Sequence, residues 1–182
     1  MDIYMDTPVL QEETQDEGTL THMLAKYHAP IVKYCYNLLW NHHDAQDAAQ
    51  DVFFTAMRKF SNLRETSALG TWLYRIAYNT CMNMLKRKRL QRIFWKKEVA
   101  KVGAGTYEDE YNFGISPELY TALNALSPQD RALVYNRVVD QMEYCQLEEI
   151  YGVKAASLRK RYERARKKLE KMLTADSGTQ EG

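Results

Sequence analysis

Three groups of residues have the types and spacing to do chemistry. Asp44, Asp47 and Asp51 recur at helical spacing, so a helix would carry three carboxylates along one side. Such a row suits a metal, a helix dipole or a basic partner. No fourth carboxylate accompanies it, and His42 and His43, between Asn41 and Asp44, look like a polar helix junction rather than a ligand set. No metal site and no cofactor are therefore expected. The second group lies in "TWLYRIAYNT" and its continuation, where Leu73, Ile76, Ala77 and Met84 make one apolar helix face while Trp72, Arg75, Asn79 and Asn83 line another. An aromatic, a cation and two amides can stack and hydrogen-bond, so that face is either incidental surface or a docking face. The third group, Arg159, Lys160, Glu163 and Arg164, follows Gly152 by less than four helical turns. Its chemistry is that of a polyanion or base-edge reader, and no catalytic residue is expected.

Charge placement supports the last point. The chain of 182 residues has a formal net charge of only +1, but the charges are segregated. Residues 1–20 hold six acids and no Lys or Arg, residues 86–97 hold seven bases and no acid, and residues 154–171 hold nine bases against two acids. Two separate basic patches are the footprint of something that follows a phosphate backbone. A hydrophobic content of 45% over this length allows one or two small cores and leaves little room for a large enzyme cleft. Cys35, Cys81 and Cys145 are far apart, each in an apolar helical setting, which implies neither a disulfide framework nor a zinc knuckle. No apolar run approaches the roughly 20 residues that span a bilayer, so no membrane insertion is expected and the cytoplasm is the simplest home.

The elements that must position these groups are helices almost throughout, because apolar residues recur at three and four and never alternate for long. An acidic stretch to Gly18 is expected to lack structure. A helix starts near Leu20, is interrupted or restarted at Pro30, and continues through Ile31, Tyr34, Cys35, Leu38 and Leu39. Another opens at Asp44 with Ala48, Val52, Phe53, Ala56 and Phe60 as its apolar stripe. A loop over residues 61–70 leads into the helix that carries Trp72, and a weakly periodic, glycine-bearing stretch over residues 99–115 is a linker. Ser116-Pro117 and Ser127-Pro128 then mark helix starts, the second helix burying Leu133, Val134, Val138 and Val139.

Beyond these, two helices meet at Gly152 in a helix-turn-helix pattern. Leu147, Ile150 and Tyr151 precede the glycine, and Val153, Leu158, Tyr162, Ala165 and Leu169 follow it. The second helix has small residues at its tip, Ala155, Ala156 and Ser157, and donors or acceptors on the next exposed rows, Arg159, Lys160, Glu163 and Arg164. Arginine can bridge guanine, and Glu163 can accept from cytosine. Arg161, Arg166, Lys167 and Lys168 suit phosphates, which supply affinity and salt dependence without sequence preference.

At this point the sequence resembles a known family. "LSPQDRALVYNRVVDQMEYCQLEEIYGVKAASLRKRYERARKKL" is similar to the −35-binding domain of bacterial sigma factors, and "DAQDAAQDVFFTAMRKF" with "TWLYRIAYNTCMNMLKRKR" is similar to their −10-binding domain. The lack of a long insert between them points to the small extracytoplasmic-function (ECF) subfamily. The resemblance implies an all-α fold of two small helical domains joined by a flexible linker. Its expected divisions are an acidic tail at 1–18, a sigma-2-like domain at 19–92, a linker at 93–115, a sigma-4-like helix-turn-helix domain at 116–174 and a tail at 175–182.

It also implies roles. Lys154, Ala155, Ser157, Arg159, Lys160, Arg161, Glu163 and Arg164 fall on the −35 reader. Asn62, Arg64, Thr66 and Ser67 fall on the loop that receives a flipped base of the melted −10 strand, with Trp72, Arg75, Asn79, Asn83 and Lys86 on the helix that holds that strand. Trp72 is expected to wedge or stack against a base, to pack beneath the loop, or to do both. Asp47, Gln50, Asp51 and Phe54 match positions that dock on core RNA polymerase. The implied partners are core RNA polymerase, promoter DNA and an anti-sigma factor, and catalysis belongs to the polymerase. Departures from the family pattern are Asn83 in place of an aspartate that would pair with the following bases, Glu148 in place of a small alanine in the turn, Lys154 in place of a capping serine or threonine, and Glu163 in place of an aromatic or histidine. Together they predict a loosened DNA-binding turn and a recognition helix without a standard N-cap. Two rival readings are a one-component helix-turn-helix regulator that binds duplex DNA without polymerase, and a metal-dependent hydrolase built around Asp44.

Overall fold

A computed structural model describes residues 13–60, 68–95 and 115–177. Its elements, among the described residues, are seven helices and no strand: α1 (Glu13–Leu39), α2 (His42–Lys59), α3 (Leu69–Trp95), α4 (Pro117–Asn124), α5 (Pro128–Val138), α6 (Tyr144–Tyr151) and α7 (Ala155–Ser177). The all-α expectation holds.

Helices α1, α2 and α3 pack together as a first body. α1 contributes Ile31, Tyr34, Cys35 and Leu38, and α3 contributes Leu69, Leu73, Ala77 and Cys81, all buried. From α2 come Ala45, Ala48, Ala49, Val52 and Ala56, a mostly alanine face that lets its neighbours approach closely. Fully burying one leucine among these contributes about 1.5–3 kcal/mol. That packing explains one departure from expectation: α1 runs unbroken through Pro30. A proline removes a single backbone donor, and contacts with α2 and α3 along the rest of the helix hold the turn in place. α1 also begins at Glu13, inside the stretch expected to lack structure, where acids sit at the end of the helix that favours negative charge. Trp40, at a left-handed φ of 50°, turns the chain out of α1. The Asn41 side chain accepts from the Asp44 amide at 2.9 Å, so α2 opens at His42, two residues earlier than the pattern suggested. At the start of α3, a Cβ on Gly70 would lie 3.1 Å from the Tyr27 ring, so any side chain there would press on that ring and make it shift by a few tenths of an ångström.

Helices α4 to α7 form a second body, whose first three helices are short and each carry a cap. Ser116 accepts from the Leu119 amide at 3.3 Å, Ser127 from the Asp130 amide at 3.1 Å, and Glu143 and Gln146 close a reciprocal capping box. Leu123, Leu126, Val134 and Ala165 form a small apolar cluster of their own. Val138 and Val139 do not join it, contrary to expectation; they are 57% and 59% exposed. α5 ends at Val138, so both valines lie past the turns that pack against α1 and α7, and the buried positions are Arg131, Ala132, Leu133, Val134 and Asn136.

The two bodies share a core. Ala132, Leu133, Leu147, Ile150 and Leu158 belong to the same buried cluster as the first body's helices. Residues 93–95, expected in the linker, extend α3, and 175–177, expected in a tail, extend α7; residues 96–114 and 178–182 lie outside the described residues. Both extensions continue helices already held by packing.

Candidate nucleic-acid interface

The turn between α6 and α7 is built by local rules. Gly152 sits at φ 64° and ψ 26°, a conformation that costs glycine nothing, and its amide returns to the Glu148 carbonyl at 2.9 Å. Leu147, Ile150 and Leu158 are buried around the turn and set how the two helices cross. As expected, α7 has no standard side-chain N-cap of its own, and the preceding helix provides a substitute. The Lys154 carbonyl accepts from the Ser157 and Leu158 amides, making Lys154 the backbone N-cap, and the Glu148 carboxylate accepts from the Ala155 amide at 2.9 Å. The cap's missing side-chain acceptor is thus supplied from the preceding helix, and its negative charge faces the positive end of α7. The residue that breaks the family pattern at one position repairs the break at the other.

Along α7, Lys154, Ser157, Arg159, Lys160 and Arg164 are exposed and share the outward side, with Ala155 half-buried at the tip. The Arg159 guanidinium lies 4.9 Å from the centre of the Tyr144 ring, which also receives Arg137 at 4.7 Å. Two expected readers are otherwise engaged. Glu163 pairs with Arg166 at 3.3 Å, and Arg161 pairs with Asp130 at the start of α5. Partial burial works to raise the Asp130 carboxyl, but the Ser127 hydroxyl and the Arg161 guanidinium outweigh it and hold that carboxyl below its ordinary value. Arg161 therefore ties the recognition helix to α5, a pairing across 31 residues that helical periodicity could not reveal.

On α3, Arg75, Asn79, Asn83 and Lys86 are all exposed at steps of four, four and three, one continuous stripe. Trp72 is half-buried and packs against the common core, so its ring has one side in the protein. Asn62, Arg64, Thr66 and Ser67 lie outside the described residues. Within the basic run, Lys88 donates to Asp44 of α2, which gives that carboxylate a structural partner; among the described residues no three His, Cys, Asp or Glu gather to hold a metal. Sequence reasoning sorted α3 into two faces and missed a third, on which Tyr74 is buried and Tyr78 half-buried. That face meets the second body: Tyr78 lies edge-on to Tyr151 at 4.7 Å.

On α2, Asp47, Gln50, Asp51 and Phe54 are exposed in one stripe, Phe54 at 57%. They border an apolar groove between α1 and α2 lined by Leu24, His28, Val32, Phe53 and Met57, in which the His28 and Phe53 rings stack at 5.6 Å. Exposed aromatic and thioether groups flanked by carboxylates have the chemistry of a protein-docking face for a basic, amphipathic partner. Cys145 is exposed on α6, against the expectation of an apolar setting, while Cys35 and Cys81 are buried. No helix among the described residues is long and apolar enough to cross a membrane.

These faces coincide with family boundaries. The family model for sigma-70 region 2 matches residues 23–91, and that for sigma-70 region 4 matches residues 116–169. The chain is 22% identical to the ECF RNA polymerase sigma factor SigW of Bacillus subtilis, over 95% of this chain and 98% of that protein. It is 28% identical to the ECF RNA polymerase sigma factor SigE of Mycolicibacterium smegmatis, covering 85% of this chain and 62% of that one. Its fold is similar to the sigma factor RpoE of Bartonella quintana, solved in complex with the anti-sigma factor NepR, with a TM-score of 0.70, 23% identity and 87% and 98% of the two chains covered. A second fold likeness is to CnrH in complex with the cytosolic domain of CnrY, with a TM-score of 0.63, 18% identity and 88% and 90% coverage. With region 2 falling on the helices that carry the α3 stripe and the acidic and apolar face of α2, and region 4 on the helix-turn-helix, the chain belongs to the sigma-70 family, in its extracytoplasmic-function branch.

Proposed function

We propose that this chain is an alternative sigma factor that binds core RNA polymerase, reads a −35 duplex with α7 and holds the opened −10 strand along α3. The observation that carries this reading is the presence, in one chain, of two separate exposed donor rows and a third face that is acidic and apolar. A duplex reader alone needs only the first of these. Lys154, Ala155, Ser157, Arg159, Lys160 and Arg164 would meet base edges and phosphates of the −35 element, with Glu163 available to cytosine once released from Arg166 and Arg161 acting chiefly through its pairing with Asp130. Arg75, Asn79, Asn83 and Lys86, together with Trp72 and the loop residues Asn62, Arg64, Thr66 and Ser67, would hold the single strand. A flipped base costs a few kcal/mol to unstack, and a tryptophan edge with amide donors returns part of that.

Asp47, Gln50, Asp51 and Phe54 would dock on the polymerase, within a sigma-2-like unit of residues 19–92; the sigma-4-like unit covers 116–174. One structural relative, RpoE of Bartonella quintana, is a sigma factor held by the anti-sigma factor NepR, and the α1–α2 groove has the apolar lining that an anti-sigma helix would need. Sigma factors are initiation factors rather than enzymes, and the chain would act in the cytoplasm, where the polymerase is.

Run-off transcription with purified core polymerase on pooled promoter DNA tests the proposal. Discrete new starts should appear with this chain, and should be lost with Asp51→Arg, which reverses the docking charge, or weakened by roughly tenfold or more with Arg159→Ala, which removes a base-edge contact of about 1–3 kcal/mol. Binding to duplex DNA with no core-dependent starts would overturn it in favour of a one-component regulator.

A further inference from the structure

Arg159 differs from Arg161, Arg166 and Lys168 of the same helix in what holds it. Arg161 and Arg166 commit donors to the carboxylates of Asp130 and Glu163, and the Lys168 ammonium donates to the Ala125 carbonyl at 2.7 Å. Arg159 pairs with no carboxylate among the described residues; its guanidinium lies instead 4.9 Å from the centre of the Tyr144 ring. The two kinds of partner restrain an arginine differently. A carboxylate occupies the N–H fork that would otherwise meet a base, whereas a ring engages the flat face and leaves the fork open.

The ring is itself fixed. Tyr144 is the first residue of α6, where the capping box of Glu143 and Gln146 sets the backbone, and it is half-buried with its side chain packed against the common core. A second cation, Arg137 of α5, lies 4.7 Å from the ring centre and donates to the Met142 carbonyl, so one group ties the ring to the α5–α6 turn. The Met142 amide donates in turn to the Asn136 carbonyl at 2.9 Å. The Arg137 Nε is buried without an acceptor, so this arginine forgoes a hydrogen bond in order to sit where it does. Two guanidiniums around one ring repel each other, and at the protein surface the ring offsets only part of that repulsion. A polyanion relieves the rest.

We propose that Tyr144, backed by Arg137, is a positioning residue for sequence reading: it holds the Arg159 guanidinium by its face, so that the fork meets one base pair of the −35 duplex with its rotamers already restricted. This deepens the reading of α7 as the −35 helix and rests on it. The physical reason is entropy. A long side chain that is free before binding loses its rotamer freedom when it docks, and one already held loses much less. The bidentate contact to guanine needs two N–H groups in one plane aimed at one base edge, so the contact that carries sequence preference gains most from being held. A phosphate accepts from many directions and gains little. The ring therefore acts on specificity more than on general affinity.

The test is a selection from duplexes randomised across the −35 region, with the full chain on core polymerase and the bound DNA sequenced. Arg159→Ala should abolish the preference at one base pair. Tyr144→Leu should weaken the preference at that same base pair by roughly fivefold, as expected for losing a surface cation–ring contact and its ordering, with other positions and the salt dependence unchanged. Tyr144→Phe keeps the ring and should restore the preference. Arg137→Met should weaken the same position by roughly twofold, and it carries the test if Tyr144→Leu fails to fold. A second readout needs no DNA: NMR relaxation at the Arg159 side-chain N–H of the free chain should report a restrained group that Tyr144→Leu releases and Tyr144→Phe does not. A loss spread evenly over all sequences, a loss at a different base pair, a changed salt slope, or an Arg159 side chain as mobile with the ring as without it would overturn the proposal. If the unsubstituted chain on core selects no sequence, the sigma reading is what fails, and the relaxation measurement still decides whether Tyr144 holds Arg159.

Discussion

The two bodies of this molecule are stabilised in different ways. The first has helices of 27, 18 and 27 residues and tolerates a proline inside α1. The second includes two helices of only eight residues, and α4, α5 and α6 all start at caps, while α7 receives one from Glu148. Helices too short to be stable alone depend on every terminal hydrogen bond, whereas long helices with a wide buried face can carry a local fault. Where packing area is plentiful, local signals become optional. Where it is scarce, they decide whether the element forms.

Four substitutions test that contrast, from the largest effect to the smallest. Leu73→Ala removes a fully buried side chain from the first body's core and should cost about 3 kcal/mol in a denaturant titration; a cost below about 1 kcal/mol would mean that this body, too, rests on local signals. Pro30→Ala should raise stability by roughly 2 kcal/mol, because the fault is tolerated rather than required. No gain would show that the proline is matched to its site. Glu148→Ala should cost about 1 kcal/mol, the scale of a lost N-cap, and should speed amide exchange at Ala155 while leaving exchange in α1 to α3 unchanged.

The smallest effect concerns pH. Asp130 has a lower value folded than unfolded, so its stabilisation is fully present above the ordinary value of 3.8 and is lost as pH falls through the folded one. Asp130→Asn should flatten stability against pH in that acid range and nowhere else. A slope that survives the substitution would assign the acid sensitivity to other carboxylates.

Much of the site was legible in advance because it obeys short-range rules. The α3 residues Arg75, Asn79 and Asn83 are exposed as their spacing implied, and so are Lys86 and the α2 residues Asp47, Gln50, Asp51 and Phe54, which the resemblance had singled out. Ser116, Ser127 and Gly152 do what hydroxyls before proline and a glycine between two helices usually do. Misreadings occurred where one residue had two possible surroundings. Val138 and Val139 look apolar and core-facing, but α5 ends before it can bury them. Glu148 looks disruptive beside a buried turn until its carboxylate is seen to reach the Ala155 amide.

By itself, the sequence determined that the chain is helical, where most helices start and turn, and which family its motifs belong to, because each depends on residues within a turn or two of one another. Tertiary structure alone decided which distant groups meet. Arg131 caps α1 across 93 residues, Lys88 takes Asp44 across 44, and Tyr151 reaches Tyr34 across 117. Those pairings depend on how distant helices pack, within one body for Lys88 and Asp44 and between the two bodies for the others, and helical periodicity carries no information about that.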